Sequence, residues 1–136
     1  MKINTQYSHI HTLSTRWKDL DAFGHINNAI FLTYIENARI DLLNLWRINN
    51  KSKSIIIASI KIDYINQIKH PAKLIIGQFI SRLGETSFDI NADILCLDKK
   101  KFYAKSKSTC VCFNYATNSK LKVYQKIKDN YKPNHK

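Results

Sequence analysis

The chain has 136 residues, enough for one domain with a real core. It is 44% hydrophobic with only three glycines and two prolines, which suits a compactly folded chain. Its 22 Lys+Arg against 10 Asp+Glu give a formal charge of +12. That balance fits an anionic partner: nucleic acid, an acidic membrane surface or a phosphorylated ligand. No run of 18 apolar residues occurs, which excludes a transmembrane helix.

The opening stretch MKINTQYSHIHT has no apolar core of the kind a secretory signal needs, so a cytoplasmic location is expected. Residues 1–9 read as an arm or the lead-in to a first strand over 9–17, where Leu13, Thr15 and Trp17 alternate with polar residues. Asp21-Ala22-Phe23-Gly24 breaks the strand, and Gly24 is free to take a positive φ. Asn27 or Asn28 then offers an N-cap. Phe31, Tyr34, Ile35, Ala38, Leu42 and Leu45 recur at steps of three and four, which predicts an amphipathic helix over about 28–47.

A polar linker at 49–54 leads to a strand over 55–67, with Ile56, Ala58, Ile60, Ile62 and Tyr64 on one face and Ser59, Lys61 and Asp63 on the other. His70-Pro71 marks a turn. Further strands are expected at 74–83, 88–97 and 102–115, joined by short turns at Gly84-Glu85 and 98–101. The last four strands are expected to follow one another as a meander. Residues 122–130 suggest a short terminal helix, and residues 131–136 a frayed tail. No internal repeat or second domain is visible, so residues 1–136 form one domain. One strand, one long helix and four strands give an α+β chain: a five-stranded antiparallel sheet wrapped around one long helix.

The cysteines, Cys96, Cys110 and Cys112, are odd in number and lack a CxxC pattern. They make neither a disulfide framework nor a zinc signature. Cys110 and Cys112 share a strand face and read as small core residues. The lysines are spread along the chain, with runs only at 99–101 and 120–128. No aromatic-rich RNA-binding motif interleaves them, so nucleic acid is not the expected partner.

Chemistry is concentrated between Thr15 and Arg39. Asp19 and Asp21 sit two residues apart, Gly24-His25 follows, and then the helix begins. Asp21 therefore lies just before a helix N-terminus, where unpaired N–H groups point outward. Such donors can hold a developing oxyanion, while a carboxylate attacks or activates water. With an ordinary pKa near 3.9 the carboxylate is ionised at neutral pH. Glu36 and Arg39, three apart, can pair on the helix surface.

The pattern Arg16-Trp17-x-Asp19-x-Asp21-x-x-Gly24-His25-Ile26-Asn27-Asn28-Ala29, followed by Tyr34-x-Glu36-x-Ala38-Arg39, resembles the start of hotdog-fold thioesterases. The branch it is most similar to is that of 4-hydroxybenzoyl-CoA thioesterase and its acyl-CoA thioesterase relatives. The resemblance implies a hotdog fold and hydrolysis of an acyl-CoA to free acid and CoA. It implies Asp21 as nucleophile or general base, and the Asn28 backbone N–H as the donor that polarises the thioester carbonyl. It ranks His25 next, as a loop-orienting, substrate-contacting or proton-transferring residue. Gly24 would let the backbone approach the acyl group, and Phe31, Tyr34 and Ile35 would be core or acyl-pocket wall. Asp19 would shape the turn or pair with Arg16.

No metal or redox cofactor is implied. The expected partners are the acyl-CoA substrate, a second copy of the chain in a homodimer or homotetramer, and acyl carrier protein as the alternative thioester carrier. Lys61, Arg82 and Lys99–Lys101 are the candidates for CoA phosphates. A non-catalytic acyl-CoA-binding module is the reading from another class, and a carboxylate facing anionic ligands argues against it. The chain departs from the family in its loops, with Pro71 later than the usual proline and His70-Pro71-Ala72-Lys73 where a Gly-Asp turn is common.

Overall fold

The computed structural model describes residues 6–98 and 100–132. Its elements follow the predicted order: β1 (His9–Ser14), a 3-10 turn (Trp17–Asp19), α1 (Asn28–Leu45), β2 (Ser54–Tyr64), β3 (Lys73–Leu83), β4 (Ser87–Cys96), β5 (Phe102–Asn114), β6 (Ser119–Lys120) and α2 (Gln125–Asn130). The chain is an α+β hotdog fold, with the long helix packed against one antiparallel sheet.

The sheet runs in the order β1-β3-β4-β5-β2, with β6 paired to β5. Two expectations are corrected here. The sheet has a sixth, two-residue strand, because the chain doubles back after Asn114 and pairs Phe113 with Lys120. And only β3, β4 and β5 form a meander. The helix carries the chain past them, so β2 pairs with β5 at the far edge and residues 65–72 bring it back.

The helix fits the sheet because its apolar residues recur at three and four. Phe31, Ile35 and Ala38 bury against Leu74, Ile76, Ile94 and Ala104, while Leu42 and Trp46 bury against Ile80, Phe88, Ile90 and Cys110. Each such large side chain contributes about 1.5–3 kcal/mol on leaving water. Cys110 and Cys112 are fully buried core residues, and burial pushes the Cys110 thiol up to about 12.

β2 does not keep one face throughout. A bulge between Ile57 and Ser59 shifts its register against β5. Ile55 and Ile57 pack on the core before the bulge and Ile62 after it, so Ile56 and Ala58 do not share the face of Ile62. The Glu36–Arg39 surface pair is also corrected. Glu36 is exposed, whereas Arg39 is 7% exposed, because its position turns it toward the sheet rather than along the helix surface. Tyr131, expected in the frayed tail, packs against the core cluster at the end of α2. Residues 133–136 of that tail, and residues 1–5 of the arm, lie outside the described residues.

Candidate active site

The loop between β1 and α1 is tied down at its base before it presents anything. Asp19 is 1% exposed. It accepts from the Arg16 Nη2 at 2.8 Å, the Arg16 backbone N–H at 3.1 Å and the Tyr34 hydroxyl at 2.6 Å. Burial alone would raise its pKa, but the Arg16 guanidinium and the Tyr34 hydroxyl outweigh it and hold the carboxyl below its usual value. The Asn27 N–H donates to the Asp19 carbonyl, and the Ile26 N–H to Ile68. The helix start is thereby fixed to the turn. Asp19 is the anchor expected from its pairing with Arg16. The Tyr34 hydroxyl was not anticipated, since helical spacing marks its ring as core and says nothing of where its hydroxyl goes.

Above this anchor, Leu20 bridges Ile26 and the chain closes into a small hairpin with Asp21, Phe23, Gly24 and His25 at its tip. The Asp21 N–H donates to the His25 carbonyl at 2.7 Å. Asp21 Oδ1 accepts from the backbone N–H of Phe23 at 2.8 Å and of His25 at 3.1 Å. Gly24 sits at φ 84°, where an L side chain is strained, and a Cβ there would meet nothing within 4 Å. Backbone conformation is thus the reason for glycine at this position.

Asp21 is exposed, and its Oδ1 takes both of these turn hydrogen bonds. The His25 and Phe23 N–H groups, with the nearby His25 ring, hold the carboxyl below the usual carboxylate range. The carboxylate is therefore held by the turn through Oδ1 and stays ionised and solvent-exposed.

The helix begins beside it. Asn27 is the N-cap, its side chain accepting from the Ala29 N–H at 2.9 Å. The Asn28 N–H, at the first helical position, donates to no acceptor among the described residues. The Asn28 carbonyl accepts from the Tyr64 hydroxyl at 3.0 Å, and Tyr64 also packs edge-on to Phe31 at 5.1 Å. Phe31 is 1% exposed within the helix–sheet core. His25 pairs through its backbone with Lys69 of the return loop. The hairpin thus brings Asp21, Gly24 and His25 to the helix end that carries Asn28.

Of the cations proposed for phosphate, Arg82 is committed elsewhere. It makes a two-pronged bond to Asp89 at 2.9 and 3.1 Å, at the far end of β3 from the loop. Lys61 lies 3.7 Å from Asp63 along β2. Lys100 and Lys101 lie at the loop end of the sheet, and Lys99 is outside the described residues. No cluster of three or more metal-ligating side chains occurs among the described residues.

Residues 15–130 match the thioesterase-like superfamily. The chain belongs to that superfamily. It is 31% identical over 90 residues to the uncharacterised protein YsmA of Bacillus subtilis, covering 64% of this chain and 60% of that relative. Among solved structures, the PA2801 protein of Pseudomonas aeruginosa superposes with a TM-score of 0.85 at 23% identity, over 91% of this chain and 98% of that one. A thioesterase from Thermus thermophilus, solved with coenzyme A and zinc, superposes with a TM-score of 0.78 at 24% identity, over 91% and 97%. These structures share the hotdog fold, and the superfamily match places the chain among thioesterase-like proteins.

Proposed function

We propose that the protein hydrolyses acyl-CoA thioesters to free acid and CoA, with Asp21 driving the reaction. The observation that carries the reading is an exposed, ionised Asp21 carboxylate on the hairpin that leads directly into a helix start whose Asn28 N–H is uncommitted among the described residues. The thioester carbonyl accepts from the Asn28 N–H, which becomes a stronger hydrogen bond as the carbonyl oxygen takes up negative charge. Asp21 attacks the carbonyl carbon or takes a proton from water that does so. His25 and Gly24 shape the rim around the acyl group, and Phe31 backs the wall near the helix start. The coenzyme A held by the Thermus relative supports CoA as the carrier.

The reading includes a second copy. β2 is an edge strand paired on one side only, and it carries exposed Ile60 and Tyr64. Such an edge is satisfied by pairing with its own copy about a two-fold axis, giving a homodimer or a pair of dimers. Antiparallel pairing of two β2 strands would set each copy's Ser54 end beside the other's Tyr64, next to Asn28, and place the active sites at the interface. The location is cytoplasmic, where three free thiols stay reduced.

The test is thiol release from a panel of acyl-CoAs by the unchanged chain and by Asp21→Asn. Activity that falls by about 10²-fold or more in the variant upholds the reading, and the best substrate names the acyl class. An inactive parent chain, or a variant as fast as the parent, overturns it. Acyl carrier protein is the second carrier, favoured by the lysines around the loop end, and turnover of one acyl group on both carriers separates the two. An acyl-CoA that binds without turnover identifies the non-catalytic module.

A further inference from the structure

The loops at the active-site end of the sheet present exposed apolar side chains that the hydrolytic reading does not use, beside lysines that it assigns only to the carrier of the acyl group. The register places these loops together. Ser14, the last residue of β1, pairs with Lys73, the first of β3. Cys96, the last of β4, pairs with Leu74, and Tyr64, the last of β2, pairs with Ala104 near the start of β5. The connections 15–27, 65–72 and 97–101 therefore leave the same end of the molecule.

Each of these connections exposes apolar surface. Trp17 is 78% exposed and Phe23 86%, on the first loop; Ile65 is 48% exposed on the second and Leu97 49% on the third. Each also carries exposed lysine: Lys18 beside Trp17, Lys69 opposite His25, Lys73 at the end of the second connection, and Lys100 and Lys101 beside Leu97. No carboxylate lies within ion-pair distance of Lys18, Lys69, Lys73 or Lys101 among the described residues. The exposed acids here are Asp21 and Asp98, and Asp98 already accepts from Cys96 Sγ and the Lys100 N–H.

A large aromatic left almost wholly in water is unfavourable, and two of them on one loop amount to an unfinished contact. Their arrangement says what finishes it. The apolar groups stand on three separate loops and are interleaved with lysines. Aromatic rings with a polar or basic setting settle at the boundary between headgroups and acyl chains, where lysine stems lie in the apolar layer and their ammonium groups reach lipid phosphates. We propose that this end of the molecule docks on an anionic lipid surface, with Trp17 and Phe23 entering the interface and Lys18, Lys69, Lys73 and Lys101 meeting the headgroups. No helix among the described residues is long and apolar enough to cross a membrane, so the association is peripheral. It needs nothing from thioester hydrolysis, and its test reads binding alone.

The test is co-flotation of the whole chain with vesicles of phosphatidylglycerol and phosphatidylcholine, and with phosphatidylcholine alone, at fixed salt. Because the chain carries +12 overall, charge attraction by itself is not the discriminating result. Trp17 emission, taken as the difference between the unchanged chain and Trp17→Leu, is followed against lipids bearing a quencher at the headgroup boundary. The expected results are binding to the anionic vesicles, quenching of Trp17, and a partition coefficient at least tenfold lower in Trp17→Ala/Phe23→Ala. Reversing Lys18, Lys69, Lys73 and Lys101 to Glu weakens binding further, since each lysine near an anionic surface is worth about fivefold. The control reverses Lys51, Lys122 and Lys126 at the opposite end and keeps Trp17 quenching. No binding, binding without Trp17 quenching, or loss of quenching only in the opposite-end variant overturns the proposal. So does Trp17 emission already shifted to the blue without lipid, which would mean that a second copy covers the patch.

Discussion

Tyr34 donates its hydroxyl hydrogen to Asp19 across 2.6 Å, joining the second turn of the long helix to the base of the loop that holds Asp21. Asp19 is the meeting point of the helix, the 3-10 turn and the Arg16 side chain, and it is almost fully buried. Tyr34→Phe keeps the ring in the core and removes one hydrogen bond to a charged acceptor. It should cost about 1–2 kcal/mol in urea unfolding. Asp19→Ala leaves a buried hydroxyl and a guanidinium without their acceptor and should cost about 2–3 kcal/mol. If the anchor also positions Asp21, Asp19→Ala lowers kcat further than Tyr34→Phe does, measured where both variants are fully folded.

The acidic groups of the chain respond to pH in two opposite ways. Hydrogen-bond donors hold Asp19, Asp41 and Asp89 below their ordinary value: Arg16 and Tyr34 for Asp19, His11 for Asp41, and Arg82 and Thr109 for Asp89, against the pull of burial. In the acid range the unfolded chain binds more protons at these sites than the folded one. Their stabilisation is present above the unfolded value of 3.8 and is lost as pH falls through the folded values. Asp93 has the reverse sign. Burial raises it, although Tyr7 and Lys105 pull it down. Its contribution is fully present below the unfolded carboxylate value and is lost as pH rises through its folded one. Asp93→Asn keeps an acceptor for the Tyr7 hydroxyl and removes the buried charge. It should raise the Tm at pH 7 by about 2–4 °C, as about 1 kcal/mol does in a chain of this size. The gain should shrink toward pH 4, read by thermal unfolding across that range.

The sequence carried the long helix, the five principal strands and the Asp21 turn, because each is written in local signals. Step-three-and-four spacing gives Phe31 to Leu42, and the Gly24-His25-Ile26-Asn27 run gives the turn and cap. What it did not carry depends on groups far apart in the chain. The β2 bulge needs β5 beside it to exist. The placement of β2 at the far edge follows from the path of the helix over the sheet rather than from strand length. Arg39 reads as a surface partner of Glu36 by spacing, yet the sheet covers it. Tyr34 reads as a plain core aromatic until Asp19 is folded under its hydroxyl. At the candidate site, the positions of Asp21, Gly24 and Asn28 were legible from turn and cap chemistry, whereas the uncommitted state of the Asn28 N–H was not.

Gly77 is a second glycine whose absent side chain matters. A Cβ there would stand 2.5 Å from the ring of Tyr7, whose hydroxyl reaches Asp93 at 2.6 Å. Tyr7, Phe79 and Leu95 form a small apolar cluster on the outer face of the sheet. Gly77→Ala should force Tyr7 off its seat, break the bond to Asp93 and open that cluster, at a cost of about 2 kcal/mol from overpacking and the lost hydrogen bond. Hydrogen exchange should speed up at Ser8, whose N–H pairs with the Gln78 carbonyl, and stay unchanged in the helix. Equal protection at Ser8 in both chains would show that the ring finds another position.

The Asn28 main chain can be tested apart from its side chain by comparing two substitutions that both remove the carboxamide. Asn28 is the first residue of the helix, and Asn27 before it has φ −59° and ψ 134°, a conformation that a following proline accepts. Proline is well tolerated at a first helical position, where its ring matches the helical φ and its missing N–H breaks no helical bond. Asn28→Pro therefore deletes one N–H group and leaves the helix start in place. If that N–H holds the oxyanion, kcat should fall by about 10²–10³-fold, as for other single oxyanion donors, with little change in Tm or in KM. Asn28→Ala keeps the N–H and should retain near-parental kcat. Equal activity of Asn28→Pro and the parent chain would take the helix start out of the mechanism, whatever Asp21 does.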